Sequence, residues 1–236
     1  MSLISSLRHR FDGFQRRLEW ARARATVRRF HALYYTHQER TWADTRFLGA
    51  PVFKCPLDLW VYQEIVFETR PDVIIETGTD RGGSALYFAS LFDLLGGDGR
   101  VVTIDVERKP PLPEHPRVTY LNGSSVAPEV VARVRSLTDG RRVMVVLDSD
   151  HTAPHVREEL RIYGELVTPG CYMVVEDTNV NGHPVFRGHG PGPTEALSDF
   201  MRADTRFERD ARREKFFLTF NPRGYLRRRG DADARA

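Results

Sequence analysis

Four carboxylates fall in two short stretches, Asp148-Ser-Asp150-His151 and Glu176-Asp177, and each stretch follows an apolar run. Such runs read as buried strands, and in an open parallel sheet the residues just past the strand ends face the ligand crevice. If the two strands are neighbours, Asp148, Asp150, Glu176 and Asp177 converge, and they repel unless protonated, paired or bound to a cation. Hard oxygen donors favour Mg²⁺ or Ca²⁺ over zinc, so a divalent ion is the simplest resolution. His151, with an unperturbed pKa near neutrality, could then take a proton from a hydroxyl polarised by that ion. Solvent-facing acids and a histidine at a helix start would have the same residue types.

A second constellation runs from Val73 to Ser84: an apolar run ending at Glu76, glycines at Gly78, Gly82 and Gly83, then an apolar-periodic segment through Leu95. This is strand, tight turn and helix, with backbone N–H groups at the helix start available to a ligand. The spacing is G-x-x-x-G-G and not the G-x-G-x-x-G of dinucleotide binders, and Glu76 at the strand end could hold a cationic group. These features favour S-adenosylmethionine (SAM) over NAD, against the alternative of an ordinary βα turn. Asp105 ends the next apolar run, where a carboxylate suits the two donors of a ribose diol. The turn Asn122-Gly-Ser124-Ser125 could bond an adenine edge or begin the following helix.

The elements that must position these residues follow from the chain pattern. From Val73 onward, strands (Val73–Thr77, Val101–Asp105, Arg117–Leu121, Val143–Asp148, Cys171–Asp177) alternate with helices (after Gly82, and around 128–137 and 154–167), which implies a parallel sheet covered on both faces. A helix over 194–202, a short strand near Phe207 and a last strand over Phe216–Phe220 follow. Upstream, Leu3, Leu7, Phe11, Phe14, Leu18, Ala21 and Ala25 recur at steps of three and four among arginines, an amphipathic basic helix with room for one break. Residues 1–40 therefore read as a helical arm, 41–229 as the catalytic domain and 230–236 as a disordered tail. Between Thr41 and Pro56 the period dissolves into a loop with Trp42, Phe47 and Phe53, which could wall a substrate pocket. The Gly/Pro-rich loop 181–193 is a candidate lid.

A chain of 236 residues suits one α/β domain, and 41% hydrophobic with 28% charged residues excludes a disordered composition. The net charge of +3 is modest and gathered near both ends, without aromatics interleaved on a recognisable nucleic-acid module, so no nucleic-acid partner is expected. No stretch has the length of a membrane span, arginines interrupt the N-terminal apolar positions, and only Cys55 and Cys171 are present, so a reduced cytoplasmic protein is expected. The arm's stripe suggests a homo-oligomer, against packing on the chain's own domain or a basic membrane-surface helix.

The chain resembles the cephalosporin-hydroxylase-like and rhamnosyl O-methyltransferase group of SAM-dependent enzymes. The resemblance covers about Thr41 to Arg228 and rests on several pieces in order. They are Trp42, Gly49, Lys54, Pro56 and Asp58, then Tyr62-Gln-Glu64, Glu76-Thr-Gly78 with Gly82-Gly-Ser84, Asp148-Ser-Asp-His151, Glu176-Asp177, Gly190-Pro-Gly-Pro193, Lys215-Phe and Asn221-Pro-Arg-Gly-Tyr-Leu-Arg227. It implies a class I methyltransferase-type (Rossmann-like), mostly parallel seven-stranded α/β sheet with helices on both faces. It also implies SAM over the Gly78 turn and Mg²⁺ on Asp150, Glu176 and Asp177, with Asp148 near the methionine end of SAM. Catechol-type methyltransferases are similar with Asp148 as the first ligand.

The expected activity is methyl transfer to a hydroxyl of a sugar or of a related natural product, with His151 and Asp150 as catalytic groups. Glu76, Gly78, Ser84, Asp105, Ser124 and Asp148 are the expected cofactor residues. Two other classes use the same cradle: a SAM-binding accessory protein without turnover, for which the acidic cluster is superfluous, and an NAD-dependent oxidoreductase, which the glycine spacing disfavours.

Overall fold

A first helix, α1, spans Leu3–Thr36 without a break. The computed structural model describes residues 3–230, with α1 side chains described at Glu19 and from Ala21 onward, so the Leu3 to Leu18 part of the stripe and the tail 231–236 lie outside the described residues. Ala21 and Ala25 are exposed, so this part of the stripe is not covered by the chain's own domain. The end of α1 is different: His31 is buried, and Tyr34 and Tyr35 pack with Trp42 and Leu57 against Cys55, Leu218 and Phe220. The last turns of the arm thus belong to the body of the protein.

The loop after α1 contains a two-residue ribbon, β1 (Arg46–Phe47) and β2 (Ala50–Pro51), and leads into α2 (Pro56–Thr69). Then come β3 (Val73–Thr77), α3 (Gly83–Leu95), β4 (Arg100–Asp105), β5 (Val118–Asn122), α4 (Pro128–Thr138), β6 (Val143–Leu147), α5 (Ala153–Gly164), β7 (Tyr172–Val175), α6 (Pro193–Ala203), β8 (Phe207–Arg209) and β9 (Tyr225–Arg228). Helices α2, α4, α5 and α6 each carry proline in the first turn, where its missing N–H is no loss and its fixed φ suits the helix.

The seven long-range strands form one sheet in the order β5-β4-β3-β6-β7-β9-β8, with β3 to β7 parallel and β9 antiparallel to both neighbours. Alternate residues serve opposite faces. Ile74, Val101, Met144, Val146 and Val174 pack under α2 and α3, whereas Ile75, Val102, Val145, Leu147 and Met173 pack under α4, α5 and α6. Each such side chain contributes roughly 1.5–3 kcal/mol on burial, which fixes the strand ends firmly. The order reverses at β3, so the crevice at its carboxyl end is the ligand position of this topology.

One expected strand is absent. Residues 216–220 form a loop: Phe216 and Phe217 are exposed, while Leu218 and Phe220 plug the cluster beneath α1. The antiparallel strand between β7 and β8 is instead Tyr225–Arg228, whose Tyr225 and Leu226 are fully buried.

Candidate active site

Two glycines draw the strand ends together. Gly78 has φ +90°, and a Cβ there would lie 1.8 Å from the Asp148 carbonyl oxygen. A Cβ on Gly83 would lie 2.0 Å from the Pro51 carbonyl. These glycines therefore admit neighbouring backbone, β6's end and the β2 loop, where the sequence suggested only close approach of a ligand.

The crevice above them has a volume of about 690 Å³, in the range of small-molecule sites. Asp105, Ser124 and Ser84 line it, as do Asp148, Asp150, His151 and Asp177, whereas Glu76 and Glu176 are buried and not part of the lining. Asp105 accepts the Asp80 amide (2.8 Å) and the Glu107 amide (3.1 Å), holding the β3 and β4 turns while each oxygen keeps a lone pair. The Ser124 hydroxyl is 3.5 Å from the Val126 amide. Glu76 is fully buried; Thr103 donates to one oxygen (2.8 Å), and Oε1 has no hydrogen-bond partner. Burial pushes its pKa up to about 7 against the pull of Lys54.

At the ends of β6 and β7, Asp148, His151 and Asp177 offer ligand atoms within 4.8 Å of one another. His151 Nε2 is 3.2 Å from Asp148, and Nδ1 is 3.2 Å from Asp177, which adopts a left-handed backbone (φ 51°). Burial opposes charging of the imidazole, but Asp177 and Asp148 prevail and raise its pKa to about 9. Bridged in this way, His151 is a cation at neutral pH and not yet a base. The two carboxylates suit a hard cation that keeps several waters.

Asp150 does not join them. Its exposed carboxylate lines the crevice but accepts the Thr152 amide (2.8 Å) just ahead of α5 and lies outside the Asp148–His151–Asp177 group. Glu176 is also engaged elsewhere. Lys54 donates to Glu176 (2.6 Å) and to Asp148, and the Tyr62 hydroxyl donates to the same Glu176 oxygen (2.7 Å). Burial and Asp148 push Glu176 up to about 8, while Lys54, its ammonium held by both carboxylates, stays charged.

Lys54 and Tyr62 are the groups that residue-by-residue reading passed over. A lysine inside the apolar run Val52-Phe53-Lys54-Cys55 was the available signal, because an acid cluster needs a cation of some kind. Behind the crevice, Ser125 and Ser149 both donate to buried Glu159 (2.6 and 2.7 Å), tying the β5 and β6 loops together. The expected lid, 181–193, is pinned by Glu195, which accepts from Asn181 and His183 (3.0 Å each) and from the Gly192 amide (2.7 Å).

Strand order and the crevice at the reversal point define a methyltransferase sheet of the class I type. Likeness to solved structures agrees: CmcI with Mg and SAM has a TM-score of 0.63 at 21% identity, covering 80% of this chain and 78% of that one. CmcI with SAH has a TM-score of 0.60 at 20% identity, covering 80% and 84%. The family profile described as Rhamnosyl O-methyltransferase/CmcI matches residues 39–229. The rhamnosyl O-methyltransferase of Mycobacterium tuberculosis is 37% identical over 209 residues, covering 86% of this chain and 84% of that protein. That of Mycobacterium leprae (strain TN) is 36% identical over 206 residues, covering 85% and 89%. The chain belongs to the rhamnosyl O-methyltransferase/CmcI family.

Proposed function

We propose that the protein transfers a methyl group from SAM to a hydroxyl of a sugar moiety, rhamnosyl-like, or of a related small-molecule natural product, with Mg²⁺ at the reacting end. The observation that carries this is the convergence of Asp148, His151 and Asp177 at one end of a crevice whose other end is lined by Asp105 and Ser124. The relatives' name supports a sugar acceptor, and the Mg and SAM of the CmcI structure suit the donors present. When bound, SAM supplies an electrophilic methyl group and Mg²⁺ lowers the pKa of a neighbouring hydroxyl.

The chain's own residues do the rest. Asp105 offers lone pairs to ribose hydroxyls, and the unpartnered Glu76 oxygen adds acceptor capacity under the Gly78 turn. Asp148 and Asp177 would hold the cation, with Glu176 kept behind them by Lys54 and Tyr62. His151 gives both of its ring N–H groups to Asp148 and Asp177 and is thereby fixed beside the reacting end. It would become available as a proton acceptor where a bound cation occupied those carboxylates instead.

The test is incubation with SAM and p-nitrophenyl α-L-rhamnopyranoside, read by mass spectrometry for a methylated product, with and without EDTA. Product that disappears in EDTA, and falls about 10²-fold or more in Asp177→Ala, is expected. SAM binding by calorimetry without transfer to any glycoside would make the protein a binding accessory. Full activity in EDTA would remove the metal from the mechanism.

A further inference from the structure

The crevice has an aromatic wall that the methyl donor does not require. Tyr35, in the last turn of α1, and Trp42, in the turn that follows, line it together with Phe53. The Tyr35 and Trp42 rings lie 5.4 Å apart at 29°, and the indole N–H donates to the Tyr35 carbonyl (3.1 Å). Phe220 meets both rings edge-on, at 5.4 Å and 5.7 Å, and is itself stacked on His31 at 5.8 Å. Both rings are held before any ligand arrives, so little ordering cost remains for binding.

The Tyr35 hydroxyl has no protein hydrogen-bond partner among the described residues. Burial, with the Asp177 charge nearby, raises its pKa to about 12, so it is a neutral donor close to the reacting end. Asp105 and the expected nucleoside positions lie at β4, three strand spacings from β7, or roughly 14 Å. His31, stacked on the same Phe220, is bonded to Asn179 (3.0 Å), two residues beyond Asp177, so the aromatic wall stands at the β7 end of the crevice.

We propose that Tyr35 and Trp42 form the acceptor subsite, taking the apolar C–H face of a pyranose against their rings and a ring hydroxyl on the Tyr35 phenol, and that they set acceptor specificity. This rests on the sugar O-methyltransferase reading above. A pyranose has one apolar face and a polar rim, and the crevice presents an aromatic wall beside a carboxylate and imidazole floor. Tyr35 lies in the last turn of the first helix, so the end of the arm contributes to this subsite.

Steady-state kinetics with p-nitrophenyl α-L-rhamnopyranoside test this in Tyr35→Phe, which keeps the ring packing, and in Trp42→Leu, alongside calorimetric SAM affinity. Loss of one hydrogen bond should raise the glycoside KM of Tyr35→Phe about tenfold with kcat changed far less, and Trp42→Leu should raise KM by at least as much. SAM affinity should stay within about twofold in both, because neither ring is at the nucleoside end. Wild-type turnover with unchanged glycoside KM in Tyr35→Phe, or a matching loss of SAM affinity, overturns this inference and leaves the function standing. Wild-type protein that binds SAM but methylates catechol and no glycoside overturns both, since the wall would then serve a planar ring.

Discussion

Replacing Lys54 with methionine keeps the stem and removes the charge from the most enclosed ion pair of the site. The Lys54 side chain is 4% exposed, its ammonium contacts Asp148 and lies 2.6 Å from Glu176, and Glu176 is 5% exposed. Without it, Glu176 has no cation in contact and faces Asp148, which keeps only His151. Breaking such a pair from one side costs about 3–5 kcal/mol. At about 2–4 °C per kcal/mol for a chain of this size, the melting midpoint should fall by roughly 6–20 °C.

The loss should depend on pH. Burial and Asp148 already push Glu176 up to about 8, from 4.5, and loss of Lys54 pushes it further. A folded-state pKa raised above the unfolded one means that the folded protein binds more protons in that interval. The associated stability is present below the unfolded pKa and is lost as pH rises through the folded one. The deficit of Lys54→Met against wild type should therefore be larger at pH 9 than at pH 6, in urea titrations at both. Millimolar Mg²⁺ should restore the variant more than it stabilises wild type, since it can stand in for the missing charge. A deficit below about 1 kcal/mol that is the same at both pH values would refute the reasoning, because an exposed pair contributes no more than that.

Two further outcomes are expected. His31 is buried against Phe220 and bonded to Asn179 (3.0 Å), and burial lowers its pKa from 6.5 to about 4. The unfolded chain then binds the extra proton between those values, so stability should fall by up to roughly 3 kcal/mol as pH drops from 6.5 to 4. His31→Gln should show a smaller difference between urea midpoints at pH 5 and pH 7.5, and an unchanged difference would show that His31 does not titrate this way. Exposed Phe30 and Leu33 continue the uncovered surface of α1 that includes Ala21 and Ala25. Deleting residues 1–28, which spares the packed last turns, should lower the mass in sedimentation velocity from an oligomer to the monomer; an unchanged mass would exclude assembly through that part of the arm.

The parts of this protein that could be read from the chain are those in which local pattern and global position coincide. The β-branched runs of β3, β4, β6 and β7 are buried on both faces, so each appears as an uninterrupted apolar segment, and the acids that end them must lie along one sheet edge. The misreadings arose where an apolar run serves something other than the sheet. Phe216 to Phe220 has a strand's composition, but periodicity cannot distinguish a ladder from a loop whose Leu218 and Phe220 fill a satellite cluster, and the true strand was masked by Arg227 and Arg228.

The acid cluster teaches a similar lesson about charge. Repulsion among carboxylates demands a cation without saying which one, and here Lys54, 94 residues from Asp148 in sequence, supplies part of it from a loop. Asp150 looked equivalent to Asp148 by composition, yet an Asp two residues before Thr152, just ahead of the Ala153-Pro154 helix start, already accepts a backbone amide within its own turn. An acid with a backbone donor within its own turn is less free to meet partners across the sheet. Asp148 has no such local amide and reaches Lys54 and His151 instead, and this selects it over Asp150 as the carboxylate that faces Asp177.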